Sequence, residues 1–410
     1  MNTPAVTDSI VQNRRRYRHN RVLDIIRSKE GVSRYDIKKI TSYSIETILD
    51  ITGELLREGF IYEEAGRNGR IGRRPVSLYI NAHGGYFAGV EFNSQRIQGV
   101  LLNFAKEPVH GEMLPVSADD DAAVLLEKVE TVIERLLAAR PSGGKKVIGV
   151  GLGLPGFFDP ETGSAISYDF LPSWKDIPIK KIIEDRFRLP CFIENNVAVI
   201  AMAYRWLMFR EEPEDFLFVS IRTGVRIVPW YGGRFIFEGK SYVGQLGHVK
   251  VPGSNRLCNC GERGCLNAEI TDPGIRNKMI EMILNHRMAG ISGRINGNLE
   301  CLNVDMLKEA VLEKDPHAID LVQDSAVKLG HCLGMMVDIL APNVIVLSGK
   351  LVSMGGIFMD AVEKGIRQNT INGSTSKIRL VNSTLEDNAG AWGAAVLALL
   401  RSFEFETLQI

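Results

Sequence analysis

The chain has 410 residues, of which 45% are apolar and 24% charged, with 49 Lys+Arg balanced by 49 Asp+Glu. That composition excludes a disordered or fibrous chain, and the length exceeds what one ordinary core fills, so two or three domains are expected. No apolar run approaches a membrane span, the first residues lack the apolar core of a signal peptide, and cysteines are few, which together predict a cytoplasmic protein.

The neutral total hides an asymmetry. Residues 1–80 carry 15 Lys+Arg against 10 Asp+Glu, a balance of +5, and the remainder is therefore −5. A basic head on an acidic body suggests a nucleic-acid module joined to a regulatory one. Arg14–Arg16, Arg18 and Arg21 precede Val22, Leu23, Ile25 and Ile26 at helical spacing, and Gly31 ends that helix. Ser33 caps a second helix, Tyr35 to Ile40, with Ile37 and Ile40 inward. After a turn at Thr41–Tyr43, Ser44 opens a third helix bearing Ile45, Ile48, Leu49, Ile51, Leu55 and Leu56.

Three such helices with a short turn read as a helix-turn-helix. The third presents Ser42, Tyr43, Ser44 and Thr47 to base edges in the major groove of double-stranded DNA, with Glu46 an acceptor for a cytosine amino group. Phe60-Ile61-Tyr62, a Gly/Arg-rich loop and Val76–Ile80 then form strand, loop and strand, a wing whose Arg67, Arg70, Arg73 and Arg74 suit the minor groove of A·T-rich DNA. A three-helix bundle that binds a protein is the alternative. Residues 1–80 are thus a winged helix-turn-helix domain, and 81–85 are a hinge.

Beyond the hinge, strands are expected at 86–92, 97–102, 147–154 and 191–194, with an amphipathic helix over 122–139 and another after Asn195-Asn196. A second round starts at 216–221, and 391–400 is a last helix. Alternating strands and helices argue an α/β fold. Between them, His248 and Cys258, Cys260 and Cys265 stand in a short Gly-rich loop, with Gly261 and Gly264 for the tight turns. One imidazole and three thiolates form the ligand set and closed coordination of a structural Zn2+ site. The alternative is a group of buried thiols packed as small apolar side chains. Cys191, Cys301 and Cys332 read as reduced core residues.

Gly244-x-x-Gly247-His248 followed by Cys258-x-Cys260-Gly261-x-x-Gly264-Cys265 resembles the zinc motif of the ROK family, which comprises sugar kinases and sugar-responsive repressors. The resemblance implies a two-lobed, actin-like fold: lobe 1 over 86–195, completed by 386–410, and lobe 2 over 196–385 with the metal motif. It implies that His248 both ligates the metal and faces a sugar. The winged head resembles the repressor branch, with xylose and N-acetylglucosamine repressors, whereas kinase members lack such a head.

The family's phosphate loops are altered here. Asp-x-Gly-Gly-Thr-Lys is matched by Glu91-Phe92-Asn93-Ser94-Gln95-Arg96. Gly-Thr-Gly-x-Gly-Gly-Gly is matched by Arg222-Thr223-Gly224-Val225-Arg226-Ile227-Val228, whose last three side chains should intrude on a nucleotide. Asn196 replaces the catalytic Asp and cannot accept a proton, so no enzyme activity and no ATP are expected. The family's sugar ligands fall on Asn195, Asn196, Gln245, His248 and Asn267, three of which are amides in place of acids, with Glu269 a substitute if its loop shifts. Tyr168, Phe170 and Trp174 form an aromatic run where, by the same resemblance, family members carry an Asn-Leu-x-Trp pattern.

The resulting expectation is a sequence-specific transcriptional regulator of carbohydrate metabolism, a repressor acting as a homodimer or tetramer and controlled by a sugar-like effector. The rival expectations are control by a protein partner with no sugar bound, and an ATP-dependent sugar kinase.

Overall fold

The computed structural model describes residues 18–402 apart from 20, 24, 30, 66–75, 118, 144, 169, 209–214, 233, 237–239, 372–377 and 386–387. Val22, Leu23, Ile25 and Ile26 lie on a helical segment and are buried, as their spacing predicts. Ser33 caps the helix Arg34–Thr41 through a capping box with Asp36, and Ser42 ends it in the left-handed region at φ 59°. Ser44 caps the helix Ile45–Arg57, whose side chain accepts from the Thr47 N–H at 3.2 Å. The buried stripe of this helix is Ile48, Ile51, Thr52 and Leu55. Ile40, read as inward, is instead 39% exposed, and Ile45 and Leu49, apolar positions of the third helix, are 37% and 50% exposed. Apolar identity alone does not fix the inward face of helices in so small a bundle.

Val32–Ser33, Ile61–Ala65 and Val76–Ile80 form a three-stranded sheet in which Val76–Ile80 is central, giving the expected hairpin behind the helices. Residues 81–85, read as a hinge, are an ordered turn. Ala82–Gly84 is a 3-10 helix capped by Asn81, whose amide also donates to Gly59 O at 2.8 Å. Phe60 of the head stacks on Phe104 of the following sheet with ring centroids 5.2 Å apart. The loss of apolar exposure at these two rings fixes the connection that a bare reading of Gly84-Gly85 leaves free.

The chain divides into two units, 1–203 with 387–410 and 204–386. The break falls within the helix Asn196–Met208, eight residues beyond the expected boundary at 195. In the first unit a five-stranded sheet runs, edge to edge, Cys191–Asn195, Val147–Leu154, Tyr86–Phe92, Arg96–Asn103, Pro108–Pro115. The last three strands are an antiparallel meander and the first two run parallel to Tyr86–Phe92. In the second unit the order is Arg234–Phe235, Val225–Tyr231, Phe216–Ile221, Val344–Gly349, Arg379–Asn382. Again the hairpin strands are antiparallel and the later strands parallel to the first. The repeated strand order is the duplicated architecture expected from the resemblance. Among the described residues no helix is long and apolar enough to cross a membrane.

The helix Ala389–Ser402 returns to the first sheet across glycine. A Cβ on Gly89 would lie 2.1 Å from Ala391 O, one on Gly151 1.8 Å from Ala394 O, and one on Gly393 1.8 Å from Val199 O. These contacts are backbone on backbone, so nothing soft can yield. Gly151→Val should therefore prevent the helix from docking. Chemical denaturation should read a loss of about 3 kcal/mol or more, at or beyond the usual cost of overpacking. Cys191 and Cys332 are buried as expected, and burial pushes the Cys332 thiol up to about 11. Cys301 is exposed, since the 3-10 turn Leu299–Cys301 faces outward with no buried residue.

Candidate metal centre and the residues around it

The metal motif is a knuckle held by backbone hydrogen bonds. Gly261 N–H donates to Cys258 O at 2.9 Å, Cys258 N–H to Glu262 O at 2.8 Å, and Gly264 N–H to Arg256 O at 2.9 Å. The turns require φ +88° at Gly261 and +77° at Gly264, where an L side chain is strained. Isolated bridges pair Lys250 with Cys265 and Leu257 with Arg263. The outcome is that His248, Cys258, Cys260 and Cys265 bring their ligand atoms within 4.8 Å of one another. The Sγ atoms of Cys260 and Cys265 are 3.9 Å apart. A tetrahedral ion with metal–sulfur bonds near 2.3 Å sets thiolates about 3.8 Å apart. The four donors therefore fit a closed tetrahedral site, and no protein atom need move far to hold the ion.

The electrostatics differ between the thiols. Burial pushes Cys258 up to about 11, whereas the Glu262 backbone N–H lowers Cys260. Lys250 Nζ lies 3.6 Å from Cys265 Sγ and 2.7 Å from Arg263 O, which places a cation beside that sulfur. A bound divalent ion deprotonates all three thiols and outweighs these differences.

Behind the knuckle is a cluster that the sequence did not reveal. Glu269, 2% exposed at its side chain, meets Lys278 Nζ at 2.6 Å and Lys328 Nζ at 2.8 Å, and accepts from Ser254 Oγ at 2.5 Å. Arg256, within the metal loop, approaches it to 3.7 Å. Burial alone would push this carboxyl up, but Lys278, Lys328 and Ser254 hold it at about 2. Glu269 is thus committed to cations and does not stand in for the carboxylate missing at Asn267, contrary to expectation. The signal available was Glu269 and Lys278 nine residues apart, too far for one helical face to announce a pair.

The five expected effector residues divide between the units. In the first unit, Asn195 caps the helix after it, its Oδ1 accepting from the Val197 N–H at 2.9 Å, while Nδ2 lies 3.5 Å from Leu154 O. Asn196 Nδ2 lies 3.5 Å from Oε1 of Glu91, a carboxylate buried in Tyr86–Phe92. In the second unit, Gln245, Gly247 and His248 lie in or beside one 3-10 turn. Asn267 sits against that turn: a Cβ on Gly247 would come 1.8 Å from its Oδ1, which accepts from the Val225 N–H at 2.9 Å. Gln245, His248 and Asn267 are therefore brought together, with Asn267 tied to the second altered loop.

That loop corrects another expectation. Val225 and Ile227 are buried in the core of the second unit, and Val228 is 5% exposed. Arg226 turns its guanidinium to the carbonyls of Ser241 and Val243. These side chains fill the strand's two faces and do not project into an open loop. The aromatic run is also structural in part: Trp174 is fully buried, edge-on to Phe92 at 5.0 Å, while Tyr168 and Phe170 meet at 5.8 Å.

In the head, Ser42, Tyr43, Ser44 and Thr47 cluster at the turn between the two capped helices. Ser44 Oγ and Thr47 Oγ1 are 3.0 Å apart, and the Arg18 guanidinium lies 5.8 Å from the Tyr43 ring centroid. Arg67, Arg70, Arg73 and Arg74 lie outside the described residues.

Residues 87–401 match the profile described as the ROK family. The chain belongs to the ROK family. The putative xylose repressor of Caldicellulosiruptor sp. (strain Rt8B.4) is 25% identical over 380 residues, 92% of this chain and 94% of that protein. A glucokinase of Halalkalibacterium halodurans is 24% identical over 315 residues, 94% of its own length but only 76% of this chain. Among solved structures, a ROK family transcriptional regulator homologous to the E. coli MLC protein superposes with TM-score 0.78. It is 21% identical and covers 94% of this chain and 96% of its own. The relatives named as repressors thus match across the head, whereas the glucokinase matches a ROK domain alone.

Proposed function

We propose that this ROK protein is a cytoplasmic, sugar-responsive transcriptional repressor whose ROK domain binds an effector and does not phosphorylate it. The observation that carries this reading is the N-terminal helix-turn-helix with its hairpin, joined to a ROK domain and shared in extent with proteins named as repressors. Ser42, Tyr43, Ser44 and Thr47 meet bases in the major groove, and the wing arginines 67, 70, 73 and 74 meet the minor groove or phosphates. Two copies of the head on one operator require a homodimer or tetramer. The domain division 1–80, 81–85, lobe 1 and lobe 2 is retained functionally, with the 81–85 turn transmitting rather than absorbing motion.

Zn2+ is the ion proposed for His248, Cys258, Cys260 and Cys265, in a structural role. An imidazole held by the ion keeps its second nitrogen for a hydrogen bond, which fixes His248 for a sugar hydroxyl. Asn195, Asn196, Gln245 and Asn267 complete the effector set, and their amides both donate and accept. Asn195 and Asn267 already spend Oδ1 on the backbone, and Asn195 Nδ2 also faces the carbonyls of Leu154 and Gly156 at 3.5 Å.

Loss of phosphoryl transfer is supported by the first altered loop. Asn93 Oδ1 takes the N–H groups of Gln95 and Arg96, and Asn93 N–H donates to Arg96 O. N–H groups that a phosphate loop must leave open are closed on the turn itself. A coupled assay with ATP and a panel of hexoses should therefore stay at background, and turnover on the scale of ordinary sugar kinases, about 1–100 per second, would refute the reading. Calorimetry with sugars and amino sugars should give saturable binding that His248→Ala abolishes. If no sugar binds, control passes to a protein partner.

A further inference from the structure

The helix Ile45–Arg57 is unusual for one that enters a DNA groove. Between Ile45 and Leu56 it carries no lysine or arginine. Its buried stripe is Ile48, Ile51, Thr52 and Leu55, so Glu46, Leu49, Asp50 and Gly53, at i, i+3, i+4 and i+7, form the opposite face. Glu46, Leu49 and Asp50 are exposed, Leu49 at 50%, and Ile45 beside them is 37% exposed. At Gly53 only the far end of Arg57 comes within 4 Å of where a side chain would begin, so the backbone is open to close approach there. Cations stand at the rim. Lys38 and Lys39, exposed in the last turn of the preceding helix, and Arg18 beside Tyr43 mark one end, and Arg57 marks the other. Positive charge around an apolar and acidic centre complements phosphates flanking a groove floor.

The chemistry of the centre selects what it can read. Guanine shows two acceptors, O6 and N7, and needs a donor that this face does not offer. Adenine and cytosine show an exocyclic amino group that only an acceptor can meet, and thymine shows a 5-methyl group. We propose that this helix reads its operator through thymine 5-methyl groups, contacted by Leu49 and Ile45, and through adenine or cytosine amino groups, accepted by Glu46 and Asp50. The inference rests on the DNA-binding reading above and specifies the bases that reading leaves open. It makes A·T pairs the recognised positions under the helix, because one pair offers both the amino and the methyl group.

The test uses the intact chain. Binding sites are selected from a random duplex pool, and each thymine is then replaced singly by deoxyuridine, which removes only the methyl. Dissociation constants are read by fluorescence anisotropy at fixed salt. At least one thymine in each half-site should show about three- to fivefold weaker binding, the worth of one buried methyl. Leu49→Ala, at a half-exposed position, should fold normally by circular dichroism, bind the thymine site less tightly, and lose the deoxyuridine penalty at its position. Ile45→Ala should do so at the neighbouring one. Deoxyuridine without effect at every thymine overturns the inference while leaving DNA binding intact. So does an unchanged penalty in both variants, which assigns the methyl contact elsewhere. Failure of the intact chain to bind any duplex is a different result and brings down the DNA-binding reading with it.

Discussion

Cys265→Ser should strip the chain of its metal and lower its melting temperature by about 10 °C. From Val249 to Leu266 the chain has no helix or strand beyond two isolated bridges, and few side chains there reach a core. Beyond its backbone hydrogen bonds, its order therefore depends on the point where four ligands converge. Cys265 is buried, and the Leu266 N–H bond to Val249 O closes the loop beside it. A serine oxygen at that place is a poor zinc ligand and leaves the two remaining thiols without a charge partner. A loss of about 3–5 kcal/mol follows, and in a unit of this size each kcal/mol moves the midpoint by about 2–4 °C. Elemental analysis should give one zinc per chain for the parent and none for the variant. A parent chain free of metal, or a variant with an unmoved midpoint, would contradict the assignment.

The second large effect concerns Glu269. Glu269→Leu leaves Lys278, 4% exposed, with only Asp324 at 3.3 Å and Ser325 Oγ at 3.1 Å. Lys328 and Arg256 suffer less, since each has another carboxylate, Asp324 at 2.8 Å and Glu281 at 2.6 Å. A buried ammonium that has lost its nearest carboxylate and keeps only the longer contact to Asp324 should cost about 3 kcal/mol in chemical denaturation, and Glu269→Leu combined with Lys278→Met should recover most of it. A double variant as unstable as the single one would show that the carboxylate matters for shape and not for charge.

The same group sets a pH dependence. Its folded pKa of about 2 lies below the ordinary value of 4.5, so the folded state binds that proton less readily than the unfolded one. The contribution to stability is whole above about pH 4.5 and is lost as the pH falls toward 2, about 3 kcal/mol in all. Glu269→Gln should flatten the stability profile in that window.

The metal site was legible because its signal is local. Four ligands within eighteen residues, with glycines where φ must be positive, leave few arrangements open, and the ligand atoms do converge. The central strands of both sheets were legible for a similar reason, since buried strands such as Val147–Leu154 and Phe216–Ile221 are continuous apolar runs, whereas Val225–Tyr231, read in part as a phosphate loop, was not. What the sequence withheld depended on distant partners. Glu269 looked available because Lys328, fifty-nine residues away, could not be seen beside it. Arg226 looked intrusive because the Ser241 and Val243 carbonyls that receive it lie on another loop. Leu49 was counted only as an apolar position of its helix, and its exposure was not visible because helical spacing admits it to either face. The hinge looked free because Phe104, which receives Phe60, follows it in the chain.

Leu49 apart, these misreadings share a direction: side chains read as free or functional turned out to be satisfied by the fold. The same holds for Asn267, held by the Val225 N–H, and for the Asn93 turn, closed on itself. Loop groups occupied in this way favour the proposed reading of the ROK domain as a regulator that does not use nucleotide.

The most direct measurement of that account is anisotropy of the intact chain with labelled duplexes from the region upstream of its own coding sequence, at low ionic strength, with and without sugars. The account predicts saturable binding to a discrete site, weakening steeply with salt and released by at least one sugar. An intact, folded chain that binds no duplex under those conditions would contradict it.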